Sequence, residues 1–214
     1  RGRNGYSDID GGAISNWEHL DQAYNGSYFY RDQARRSRGV ALEHTLFSTG
    51  EDLAKAMQSK GYNTEAERNF GLQFDEEAQL NGSVAEKVVV SFRNDKTTTF
   101  TYNKETGLYS TEQYGIAHVD GNTGEQTTFK NVLVIYSPQS FRRDTAYSRS
   151  YYELEGEGEG YAAINGQIAK IKWSRESLRT PFVFTLEDGT PLTLGVGHSY
   201  IAVACTSSTP VEYE

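Results

Sequence analysis

The sequence predicts an α+β fold dominated by antiparallel strands, with one clear helix in the N-terminal region. Three observations lead there. Only residues 49–60 combine a helical apolar period with a start and a stop signal. From residue 70 onward, short runs of β-branched and aromatic residues alternate with turn dipeptides such as Asn165-Gly166 and Asp188-Gly189. Within residues 127–136, Val132, Leu133, Val134 and Ile135 follow one another without a polar break, which suits a strand covered on both faces.

Taken in order, residues 1–30 are rich in Gly, Asn, Tyr and Asp, with an amphipathic piece at 15–24. Ser15 or Asn16 would cap it, with Trp17, Leu20 and Tyr24 on one side. Residues 28–30 read as a short strand. Ser48 and Glu51 have capping-box spacing ahead of Leu53, Ala54, Ala56 and Met57, and Gly61 stops the helix. Strands are then expected at 70–74, 85–92, 98–102, 108–114, 127–136, 150–154, 160–164, 168–174, 182–186, 191–194 and 199–206. Asn165-Gly166 is the strongest hairpin signal, because both positions of such a turn need positive φ. Beyond it, Ile168, Lys170 and Lys172 share one face, and Ala169, Ile171 and Trp173 the other. Residues 63–69 and 138–145 read as loops. The division expected is a small helix-containing region over 1–66 and a mainly antiparallel β domain over 67–214.

With 214 residues the chain can bury a substantial core, and 15 Tyr and 10 Phe offset a hydrophobic share of 36%. A net charge of −8 argues against nucleic acid as a partner, although Arg31, Arg35, Arg36 and Arg38 form a local basic cluster. Cys205 is the single cysteine, so neither a disulfide framework nor a cysteine-based zinc site fits within one chain. It reads as a buried small hydrophobe, and no cofactor or metal is expected. No apolar run approaches the roughly 20 residues that span a bilayer. The opening RGRNGYSD carries neither Met nor a signal sequence and reads as a mature or trimmed piece.

An ordered set of short motifs adds a family resemblance. FYRDQARR and LEHTLF precede the capped helix. Tyr102, Gly107-Leu-Tyr109, His118-Val-Asp120 and Asn131-Val132 follow. Then come Gly156, Gly158 and Gly160-Tyr161, Trp173-Ser-Arg175, Asp188-Gly189, and Gly197 before Tyr200-Ile201. In this order the chain resembles the YerB-like bacterial lipoproteins over most of residues 28–206. The resemblance implies a protein anchored by an N-terminal lipid on the outer side of a bacterial cytoplasmic membrane, with two sub-regions and an unassigned biochemical role. Departures are Thr45 where Asn is usual, Arg175 for Lys, Tyr200 for Trp, and the family's longer N-terminal portion with its lipidated cysteine. The resemblance makes residues 1–66 the remnant of that longer N-terminal domain.

Several groups offer chemistry. His118 and Asp120 would share a strand face as a metal pair or a base with its orienter, or else Asp120 caps the Asp-Gly turn. His44 joins them only if the fold brings separate regions together. Arg31, Asp32 and Arg35 suit an anionic ligand such as a wall polymer, the structural alternative being an Asp32 helix cap paired with arginine. Tyr161, Trp173 and Arg175 suit a sugar-binding surface, against Trp173 as core. In ELEGEGEG no helix follows to hold a phosphate; its glycines read as places where a backbone or ring comes close, with Glu155, Glu157 and Glu159 facing water. The expected function is noncatalytic binding of a wall component or an envelope protein outside the cytoplasm. The alternative is an envelope hydrolase or transferase using His118, Asp120 and His44.

Overall fold

In the computed structural model, residues 19–20, 22, 25–65, 71–143, 148–178, 180–205 and 209–214 are described. The amphipathic stretch at 15–24 falls almost wholly outside them. The chain divides into two units, Arg1–Arg68 and Asn69–Glu214.

In the first unit, β1 (Tyr30–Arg31) leads into a short helix, α1 (Gln33–Ser37). A 3-10 turn over Leu42–Thr45 leads into β2 (Leu46–Phe47), which pairs antiparallel with β1. The main helix, α2 (Gly50–Lys60), starts one residue later than Ser48 would place it. Thr49 is the cap, its Oγ1 accepting from Asp52 N at 3.0 Å, while Ser48 Oγ donates to Tyr28 O at 2.8 Å. Gly61 ends α2 in the left-handed region at φ 65°, with Gly61 N on Gln58 O and Tyr62 N on Met57 O. Ala56 is buried, whereas Ala54 of the expected stripe is exposed.

The second unit opens with β3 (Gln73–Asp75) and β4 (Ser83–Val84). A meander follows: β5 (Lys87–Arg93), β6 (Lys96–Asn103), β7 (Leu108–Gln113), β8 (Ile116–Ala117) and β9 (Thr128–Phe129). Next come β10 (Asn131–Ser137), the hairpin β11 (Gln139–Arg143) and β12 (Ser148–Tyr152), then β13 (Gly156–Ile164), β14 (Gln167–Arg175) and β15 (Val183–Leu186). The chain ends with β16 (Thr193–Gly195), β17 (Ser199–Cys205) and β18 (Val211–Tyr213).

One sheet has the order β15-β14-β13-β10-β17, with β4 also on β14. The other has the order β18-β5-β6-β7-β8, with β9 also on β7. Every pairing in them is antiparallel except β10 with β17. The fold is therefore α+β with a β-dominated core. Val132 and Val134 point to a core shared with Val88, Val90, Phe100 and Tyr109. Leu133 and Ile135 point the other way, to Ile164, Ile171 and Trp173. Strand β10 is thus covered on both faces, as four consecutive apolar residues require.

Two expectations need correction. The run 127–136 is two strands, not one: β9 belongs to the sheet of β7, and β10 to that of β13 and β17. The crossing falls on Lys130. Residues 139–143, read as loop, form β11, in register with Ser148–Tyr152.

Candidate functional site

The Asn165-Gly166 turn is where the second unit concentrates polar contacts. Both residues are left-handed, with φ 51° and 73°, as the two-residue link between β13 and β14 demands. The turn sits on Tyr102, and a Cβ at position 166 would come within 2.7 Å of that ring. Gly166 N donates to Tyr109 Oη at 3.1 Å, Tyr109 Oη reaches Ala85 O at 3.3 Å, and Ala85 N returns to Gly166 O at 2.8 Å. Burial raises the Tyr109 hydroxyl's pKa well above its ordinary value, so it stays a neutral donor and acceptor.

The Asn165 carboxamide bridges two distant segments. Its Nδ2 donates to Ala78 O at 2.8 Å, and its Oδ1 accepts from Lys130 Nζ at 2.8 Å. Beside it opens a cleft of about 510 Å³, with Gln79, Tyr102, Thr106, Gly107, Asn165 and Gln167 on its walls. The link between β6 and β7 forms one side, held by Asn103: its Oδ1 accepts from Glu105 N at 2.8 Å and Thr106 N at 3.2 Å. Lys104, also on the wall, pairs with Glu86 at 2.5 Å, and that hydrogen bond raises its pKa. Among the described residues, the Gln79 and Gln167 carboxamides and the Tyr102 and Thr106 hydroxyls donate to no protein group. Their donors therefore face the cleft or water.

The residues singled out from sequence stand elsewhere. Asp120 is a turn cap: Oδ1 accepts from Asn122 N at 2.8 Å and Thr123 N at 3.0 Å. The Thr123 and then the Asn122 amide lower its pKa below the ordinary carboxylate value. His118 is exposed, and its backbone, not its imidazole, makes the local bonds, to Thr111 O and from Thr127 N. His44, exposed in its 3-10 turn, belongs to the first unit. Among the described residues no three His, Cys, Asp or Glu side chains gather where a metal ion could sit.

Asp32 caps α1 by accepting from Arg35 N at 3.0 Å and lies 3.6 Å from Arg35 Nε. The Arg35 guanidinium stacks over Phe47 at 5.0 Å. Arg31 donates to Leu42 O and to Gln22 Oε1. Arg175 donates to Thr180 O at 2.8 Å and Leu178 O at 2.6 Å, over the Phe182 ring. Trp173 is 2% exposed and donates to Tyr136 O at 2.9 Å, so its face is closed to a sugar. It packs on the face of Ile171, whereas Tyr161 packs on the opposite face with Val132 and Val134. The expected sugar surface of Tyr161 and Trp173 does not form. Gly158 lies against the Trp173 indole, as expected of the Gly-rich arm.

A family model described as protein of unknown function (DUF3048), C-terminal domain, matches residues 88–201, just over half of the chain. The chain belongs to this family. The DUF3048 C-terminal domain contains Tyr102, Gly107, Asn165 and Gln167 of the cleft, and Lys130 behind Asn165, while Gln79 precedes it. The fold is also that of the crystal structure of YerB protein from Bacillus subtilis, at a TM-score of 0.72 and 19% identity. That match covers 94% of this chain and 65% of the other, so the chain spans less than two thirds of that protein. At such identity the likeness is one of fold, and together with the DUF3048 match it makes the chain YerB-like. No curated protein matches the chain.

Sequence reasoning missed Lys130. A charged residue between Phe129 and the apolar run of β10 was the available signal.

Proposed function

We propose that this protein is a noncatalytic binding module of the bacterial cell envelope, held outside the cytoplasmic membrane by a lipid anchor, and that its cleft takes a hydroxyl-rich wall polymer. The observation that carries the reading is the cleft itself. Its walls present amide and hydroxyl donors that no protein group uses, carried on two hairpins held by Asn103, Tyr109 and Asn165 and, for Gln79, on the link between β3 and β4. Rigid turns carrying unused donors recognise polar ligands at low ordering cost. Asp120 and Arg175, which could have served chemistry or capture, are engaged in local turns.

The test is equilibrium binding of the chain to purified wall polymers, with the polymer recovered and weighed by mass spectrometry. Saturable binding with the polymer returned intact is expected. A cleaved or altered polymer would overturn the reading in favour of an enzyme, and the absence of binding would remove the wall polymer as ligand.

A further inference from the structure

We infer that the cleft recognises an oxyanion, a carboxylate or phosphate group of its polymer, through the ammonium group of Lys130. The inference rests on the reading of the cleft as a binding site and names what that site reads.

Lys130 is half-buried at the crossing between the two sheets. Its stem lies along two glycines. A Cβ at Gly195 would come within 2.7 Å of Lys130 Cγ and 2.8 Å of Cε, and one at Gly197 within 2.9 Å of Lys130 Cβ. Any side chain at either position would push the stem off this track. At the far end, Nζ is held by Asn165 Oδ1 at 2.8 Å and lies 3.2 Å from where a Gly107 Cβ would be. Asn165 and Gly107 both line the cleft. An ordinary surface lysine loses rotamer freedom when it binds; this one is already ordered.

An ammonium has three donors, and Lys130 uses one on a neutral amide. Among the described residues no carboxylate lies within ion-pair distance of it, although the chain carries a net charge of −8. On the cleft wall, by contrast, Lys104 pairs with Glu86. A half-buried cation without a counter-ion is costly, and an incoming oxyanion offsets that cost. The Gln79 and Gln167 carboxamides and the Tyr102 and Thr106 hydroxyls add neutral donors around the anion. Glu105, also on the wall, supplies an acceptor for a neighbouring hydroxyl.

The experiment is calorimetric titration of the chain with three probes: a glycerol phosphate oligomer, N-acetylmuramyl dipeptide for the carboxylate, and a neutral N-acetylglucosamine oligomer. Each is repeated on Lys130→Met, which keeps the packed stem and removes the charge. One anionic probe should bind, about tenfold to a hundredfold more weakly to Lys130→Met, the range of a hydrogen bond to a charged group. Which probe binds tells phosphate from carboxylate. Should Lys130→Met fail to fold, salt decides: wild-type affinity for the anionic probe must fall as sodium chloride rises, and a flat response overturns the inference. If the neutral oligomer binds as tightly as the anionic probes and Lys130→Met leaves its affinity unchanged, the oxyanion inference fails and the binding module stands. If no probe binds, both fail.

Discussion

Replacing Asn165 tests how the cleft is held. Asn165→Ala removes the bond to the carbonyl of Ala78, a residue only 6% exposed, and releases Lys130 Nζ. An acceptor left unsatisfied costs about 1–3 kcal/mol. Alanine must also adopt φ near 51°, which adds roughly 1 kcal/mol more than Asn requires. The total expected is about 2–4 kcal/mol. Asn165→Gly loses the same two hydrogen bonds but meets no strain in the left-handed region, so it should recover roughly 1 kcal/mol of that loss. The assay is urea unfolding followed by Trp173 fluorescence, with the other tryptophan, Trp17, replaced by Phe throughout. Two variants of equal stability would refute the backbone part of the reasoning. Asn165→Gly as stable as the parent would refute the bridge itself.

Other perturbations probe the surroundings. Gly158→Ala would place a Cβ 2.6 Å from Trp173 Nε1 and 2.8 Å from Tyr136 O; about 1–3 kcal/mol of stability should be lost, with red-shifted Trp173 emission. Asn131→Ala leaves the buried N–H and C=O of Gly195 without the Asn131 side chain that holds them at 2.7 and 2.9 Å, and should cost about 2–4 kcal/mol in the same urea assay. Burial raises the folded pKa of Tyr109 above the ordinary 10.0, so its contribution to stability is complete below pH 10.0 and declines as pH rises beyond it. In an ultraviolet titration Tyr109 should then ionise above the ordinary tyrosine range, so Tyr109→Phe should remove a late-titrating group. Asp120 has the opposite sign: its folded pKa lies below 3.8, so its contribution holds above that pH and is lost as pH falls through the folded value. Carbon-13 NMR should place its midpoint below 3.8, and His118→Ala should leave that midpoint in place.

Residues that settle structure through their near neighbours were legible in the sequence. Asn165-Gly166 announced a hairpin because positive φ is a local demand, and β10 announced its two buried faces in four consecutive side chains. The helix cap was misplaced by one residue because Ser48-Glu51 and Thr49-Asp52 have the same spacing. Ser48 is taken by Tyr28 O, 20 residues away, a partner no local pattern names. The break at Lys130 was illegible for the same reason: residues 127–136 are continuously strand-like, and what divides them is the choice of partners, β7 for one half and β13 with β17 for the other. The cleft lies furthest from local view. Asn165 joins Ala78 and Lys130 across 87 and 35 residues, so a turn residue in the sequence becomes a bridging residue only in the fold. Trp173 shows the reverse case. Its alternating strand already allowed a core position, and the ring is buried there.

The most direct test of the binding account is a nitrogen-15 NMR titration of the chain with soluble wall polymer, mapping which amides move. The account predicts that shifts concentrate at Gln79, at 102–107 and at 165–167, on the walls of one cleft. Shifts centred instead on Arg31 and Arg35, or spread over the surface without a focus, would contradict it.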